Sequence, residues 1–165
     1  MQALGGQSDV FANLLKSDTP DWGKALKMAM PSAVIVGIEA LRQAGWTTQI
    51  PQRPAVAVRR LRSGNLFYHV EPFEVAQRGT AWFTVSKPGY SPEPRSVPIL
   101  RPAWALADLL REQDWGQFGL WPDDIEWERV SEEDRSDFEA ACKAYAEAGK
   151  VSSRAGIQSG NLLLP

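Results

Sequence analysis

The chain is short of groups that could do chemistry. Its one histidine, His69, falls inside a predicted strand between Tyr68 and Val70, and with no second imidazole or thiolate to join it the usual transition-metal cluster cannot form. Cys142, the one cysteine, is expected on the apolar stripe of a helix, where burial raises a thiol's pKa and makes it inert. A single thiol also excludes an intramolecular disulfide, which fits a reducing cytoplasm. No Gly-x-Gly-x-x-Gly, Gly-x-x-x-x-Gly-Lys-Ser/Thr or Gly-x-Ser-x-Gly string occurs, so neither a phosphate cradle nor a nucleophile elbow is indicated. Asp123, Asp124, Glu126 and Glu128 offer the hard oxygens that magnesium prefers, but they follow Trp121-Pro122 and read as a solvated acidic edge. The expectation is a non-enzyme, with no catalytic residue, no metal site and no cofactor.

Binding chemistry is better represented. Arg53, Arg59, Arg60 and Arg62 form the one basic cluster, and on a strand Arg60 and Arg62 project to one face while Arg59 projects to the other. The cluster reads either as a basic sheet edge or as an anchor for an acidic surface or a nucleic-acid backbone. Further along, Trp115, Trp121 and Trp127 stand in an irregular stretch that either plugs a core or makes a contact surface. Arginine and tryptophan are the residue types most often found as binding anchors, so Arg59, Arg60, Arg62, Trp115 and Trp121 are the candidate partner-binding residues.

Charge is unevenly spread. Residues 53 to 101 hold eight Arg/Lys against three Asp/Glu, whereas residues 102 to 147 hold four against thirteen. Two weakly attracting solvated faces, or one face that docks a charged partner, both account for this. The formal net charge of −2 argues against a nucleic-acid backbone as main partner. With 165 residues, 44% of them hydrophobic, the chain can build one domain with a proper core. No apolar run approaches the ~18 residues of a membrane span, and Met1-Gln2-Ala3-Leu4-Gly5-Gly6 does not open a signal peptide. A cytoplasmic protein without a membrane partner is expected.

The elements that must carry these residues follow from periodicity. Ser8 is expected to cap a short helix through Val10, Phe11, Leu14 and Leu15, and a second short helix covers Trp22 to Met30, giving a helical segment over 1–30. Ser32 is a further candidate N-cap, for a small-faced helix through Ala33, Val36, Gly37, Ala40, Leu41 and Ala44 that ends at Gly45. Strands are expected at Ala55–Leu61, Leu66–Glu71 and Thr80–Val85, the first two as an antiparallel hairpin, with Gln77-Arg78-Gly79 as a turn. Phe67, Phe73, Trp82 and Phe83 are available for packing. Lys87 to Pro94 cannot donate a regular ladder and reads as a loop. Pro102 at a first helical position starts a helix to about Gln113 with Ala103, Leu106, Leu109 and Leu110 on its stripe. Ser131 and Asp134 resemble a capping box for a last helix with Phe138, Ala141, Cys142 and Tyr145 at helical spacing. The whole is an α+β class: a small mixed or antiparallel sheet of three or more strands packed with about four to five helices. It forms a single domain over 1–150, with a flexible tail over 151–165.

Two strings carry a family resemblance. Ser32-Ala33, Ala40-Leu41-Arg42-Gln43-Ala44-Gly45-Trp46-Thr47-Thr48-Gln49-Ile50-Pro51 and the following valine strand with its arginines resemble a helix-to-strand corner in the C-terminal domain of AbiEi-type antitoxins. Ile99-Leu100-Arg101-Pro102-Ala103-Trp104-Ala105-Leu106-Ala107-Asp108-Leu109-Leu110 resembles the helix that follows the sheet in that family. The likeness spans roughly residues 30 to 112. It implies a non-enzymatic antitoxin of a type IV toxin–antitoxin (abortive phage infection) system, countering a nucleotidyltransferase-like toxin or protecting the toxin's targets. The family's antitoxins are held to act without a stable toxin complex. Members usually carry an N-terminal winged helix-turn-helix that binds their own operator, and about thirty residues precede the match here, so the expectation is a chain lacking a full one, with transcriptional regulation as a secondary role. The alternative is a nucleic-acid-binding protein that uses the Arg53–Arg62 basic strand.

Overall fold

The structure, a computed structural model, describes residues 2–3, 11–12, 21–59, 72–112 and 120–152, with 2–3, 11–12 and 150–152 given by their backbone. Among these residues the fold is α+β, with five α-helices and a three-stranded mixed sheet. Near the N-terminus β1 (Gln2–Ala3) pairs antiparallel with β2 (Phe11–Ala12), so the expected helix through Phe11 is replaced by a short ladder at that residue. Helix α1 (Trp22–Ala29) forms as expected, because the Asp21 carboxylate accepts from the Lys24 amide at 2.9 Å and Leu26 is fully buried.

The expected helix from Ser32 starts later than its pattern suggests. Val34-Ile35-Val36 is a β-branched run and forms strand β3 (Val34–Val36), antiparallel to β4 (Ala55–Arg59). Ile35 also bonds outward, its amide to Pro98 O at 2.8 Å and its carbonyl to Leu100 N at 3.0 Å. Ser32 is no N-cap; its hydroxyl accepts from the Arg59 amide at 3.3 Å. Helix α2 (Gly37–Gln43) follows, and its end is as expected: Gly45 sits at φ +76, its amide reaches Arg42 O and the Trp46 amide reaches Leu41 O, both at 3.0 Å, which is a Schellman closure.

Strand β5 (Glu74–Arg78) lies parallel to β4, giving the order β3-β4-β5. Gln77 and Arg78 are therefore strand, not turn. The expected strand Thr80–Val85 is helix α3 (Thr80–Val85), despite its β-favouring composition. The reason is tertiary: from this helix the Trp82 indole donates to Asp108 and its ring stacks on Tyr145, while Phe83 packs edge-on against Trp82. The expected strand Leu66–Glu71 and its hairpin lie outside the described residues. The predicted loop at 87–94 is a short 3-10 turn (Lys87–Gly89) followed by a bridge from Tyr90 to Leu100.

Helix α4 (Pro102–Arg111) has Arg101 in extended backbone before Pro102, and every residue from Ala103 to Leu110 is buried. It lies across α2 and α5 (Glu132–Ser152). The capping box of α5 is present: the Asp134 amide donates to Ser131 Oγ at 3.1 Å and the Ser131 amide to Asp134 Oδ2 at 2.9 Å. Phe138, Ala141, Tyr145 and Ala148 form its buried stripe. Cys142 is not on it: the residue is exposed, because at four residues from Phe138 it rotates to the edge of the stripe that Ala141 and Tyr145 centre. Its thiol pKa is still raised, by local desolvation and then by the Glu139 carboxylate.

One close approach fixes the entrance to α4. Gly89 O accepts from the Arg101 amide at 2.7 Å, and a Cβ on Gly89 would overlap the Trp104 ring. Gly89→Ala is accordingly expected to cost about 1–3 kcal/mol. Gly45→Ala should cost about 1–2 kcal/mol through its positive φ. Gly79→Ala, where a Cβ meets nothing within 4 Å, should change stability little. Urea melts of the three variants against the parent chain check the ranking.

Candidate functional site

The domain contains two clamps of the same composition, one buried and one partly exposed. In the first, Asp108 of α4 is 2% exposed, and its carboxylate accepts from the Trp82 indole at 2.6 Å and from Arg78 Nη2 at 2.9 Å. Arg78 Nη1 also stands 3.8 Å from Glu112. In the second, Asp137 of α5 accepts from the Trp104 indole at 3.0 Å and from Arg101 Nη2 at 2.9 Å, while the same Arg101 nitrogen donates to Pro88 O. Each aspartate thus meets one guanidinium and one indole N–H, the donor set that makes a buried carboxylate tolerable. Charge and apolar ring are supplied together.

Tyr145 of α5 lies between the clamps. Its ring is stacked on Trp82 with centroids 6.3 Å apart and meets Trp104 edge-on at 5.6 Å. The Arg111 guanidinium stands 5.7 Å from the same ring. Its buried hydroxyl has no hydrogen-bond partner among the described residues, and burial, then the nearby Asp108 carboxylate, pushes its pKa up. The arrangement provides no nucleophile and no free base, since the Asp108 carboxylate is occupied by donors. Its role is to hold helices and sheet together.

Beside the first clamp opens a cleft of about 750 Å³. Val36 to Ile38 form one wall, Ile50 to Arg53 another, Glu74 to Ala76 with Arg78 a third, and Asp108, Leu109 and Glu112 close it. The lining is apolar with charges of both signs. Among the described residues no group of three or more His, Cys, Asp or Glu side chains is placed to hold a metal ion.

The acidic stretch has a structural use as well. Asp124 Oδ2 accepts from the Trp121 amide at 2.8 Å, and its other oxygen accepts from Gln49 Nε2 at 3.0 Å. The Glu126 amide donates to Trp46 O at 2.8 Å, so the 121–127 segment is stitched to the segment that enters β4. Leu120 and Ile125 plug the core, while Trp121 is 60% exposed and Trp127 37% exposed. The stretch does both things that its composition allowed, with the aliphatic residues inward and these two tryptophans outward.

Two of the candidate binding residues, Arg59 and Trp121, lie among the described residues, on different segments. Arg59 is exposed at the far end of β4, with its guanidinium 5.7 Å from the Phe83 ring. Trp121 is tied to the loop that leads into the same strand, so nothing in the described structure joins the two. Arg60, Arg62 and Trp115 lie outside the described residues, as does His69. Arg53 lines the cleft. The clamps went unseen in the sequence, although one signal was available: Asp108 is the one acid in the apolar run from Ala103 to Leu110, and a lone acid there must be paired. A second buried acid, Glu39, has its pKa lowered: burial pushes it up, but donors from Arg42 and Gln43 outweigh that.

No family model matches the chain, and no curated protein matches it. No helix among the described residues is long and apolar enough to cross a membrane.

The clamps make two opposite demands on mutation. Arg78→Met leaves Asp108 buried beside an indole with no cation, and is expected to cost about 3–5 kcal/mol. Tyr145→Phe removes a hydroxyl that has no partner while keeping both ring contacts, and is expected to leave the melting temperature unchanged or higher. Thermal and urea unfolding of the two variants measure both signs; a Tyr145→Phe variant clearly less stable than the parent contradicts an unpartnered hydroxyl.

Proposed function

We propose that the chain is a non-enzymatic antitoxin of the AbiEi type that counters a nucleotidyltransferase-like toxin through its surface. One observation carries most of the weight. The two segments that resemble that family, around Ser32 to Pro51 and Ile99 to Leu110, are far apart in sequence and adjacent in space. Helix α2 packs on α4, and the Ile35 amide and carbonyl both bond to the segment around Ile99, through Pro98 O and Leu100 N. A shared corner between that helix and strand is what the resemblance requires of a single packed unit. Trp121, exposed and with its backbone amide held by Asp124, is the contact residue of choice, with Arg59 as a separate basic contact.

The reading is tested by co-expressing the chain with a nucleotidyltransferase-like protein encoded beside its gene and scoring growth. Growth is expected to be restored by the parent chain and reduced by Trp121→Ala at equal protein level. Unrelieved toxicity at equal expression rejects the antitoxin reading.

A further inference from the structure

Three large apolar side chains stand out of the described surface around one hydrogen-bonded knot. Ile50 is 81% exposed and follows Gln49, whose amide is held by Asp124. Trp121 takes the other oxygen of that carboxylate through its backbone, and the Trp127 indole donates to Pro122 O at 2.9 Å. The backbone under these side chains and the Trp127 ring are held by hydrogen bonds before a partner arrives, which lowers the entropic cost of docking. Ile50 also lines the cleft, so the surface continues into a concave wall.

The charges around the knot are of one predominant sign. Asp123 and Glu128 are exposed, Glu126 is half-buried, and none of the three is in an ion pair among the described residues; the cation of the same segment, Arg129, is exposed and turned toward Gly45. We propose that the Ile50, Trp121 and Trp127 platform docks an arginine-bearing segment of a partner protein. Arginine suits it on two counts: a guanidinium lies flat on an indole face, and the same group pairs with carboxylates at its edge. Nucleic acid is disfavoured, because its phosphates meet Asp123 and Glu128 as like charges. The proposal names the partner chemistry of Trp121. It rests on the partner-binding reading of that residue and not on the antitoxin assignment.

The test uses the full chain and three short synthetic peptides: arginines interleaved with leucines, the same peptide with citrulline for arginine, and the same with glutamate. Calorimetric titration, with tryptophan fluorescence as a second readout, is expected to give saturable binding of the arginine peptide and about tenfold weaker binding of the citrulline peptide. Trp121→Ala, and separately Asp123→Asn with Glu128→Gln, are each expected to weaken the arginine peptide about tenfold. Raising the salt from about 0.05 to about 0.3 M should weaken it further. These are surface substitutions, and unchanged melting temperatures verify that the variants fold. Absence of saturable arginine-peptide binding, equal binding of the glutamate peptide, indifference to the substitutions, or self-association that buries Trp121 overturns the proposal. Peptide binding without growth rescue strikes the antitoxin reading alone, and growth rescue without peptide binding strikes this proposal alone.

Discussion

The larger of the domain's two apolar clusters is built around a tyrosine ring held between two tryptophans, each of which is tethered to a buried or half-buried aspartate. Tyr145 touches Trp82 and Trp104, Trp82 hangs on Asp108, and Trp104 hangs on Asp137. Each aspartate is in turn paired with an arginine from another element, Arg78 of β5 and Arg101 at the start of α4. An indole or a carboxylate alone would be a poor thing to bury here: the indole needs an acceptor and the carboxylate needs a cation. Combined, they satisfy one another and bring sheet, α3, α4 and α5 to fixed mutual positions.

That constraint sets the surface. With Asp108 fixed by Trp82 and Arg78, the end of α4 and the edge strand β5 keep a constant separation, and the cleft between them has defined walls. The loop that enters β4 forms another of those walls, and the Asp124 carboxylate joins that loop to the segment bearing Trp121. Rigid core and exposed aromatic residues are thereby connected through short hydrogen bonds. The balance explains why so many aromatic residues serve a domain of this size: some supply buried rings with a polar handle, others are left for contact.

Local patterns in the sequence are legible where the local chain decides. The Gly45 terminus of α2, Pro102 at the start of α4 and the Ser131/Asp134 box at the start of α5 each depend on residues a few positions apart. Readings failed where distant partners decide. Val34 to Val36 became a strand because β4 lies beside it and Ile35 is bonded outward to Pro98 and Leu100; Thr80 to Val85 became a helix from which Trp82 reaches Asp108 and Tyr145. The clamps belong wholly to this second kind. Arg78 and Asp108 stand thirty positions apart, as do Arg101 and Asp137 by a similar span, and no spacing rule links them. Of the contact residues, Trp121 was legible as a type and a position, whereas its exposure depended on Leu120 and Ile125 taking the core sites on either side.

The central claim is that the indole–carboxylate contacts of Trp82 and Trp104 are part of the globally stable core. Hydrogen exchange of the tryptophan indole protons, followed by NMR under native conditions, measures this directly. The account requires the Trp82 and Trp104 indole protons to exchange only with global unfolding, with protection rising and falling with overall stability, while the Trp121 indole exchanges rapidly. Rapid exchange at Trp82 or Trp104 in an otherwise folded chain would contradict it.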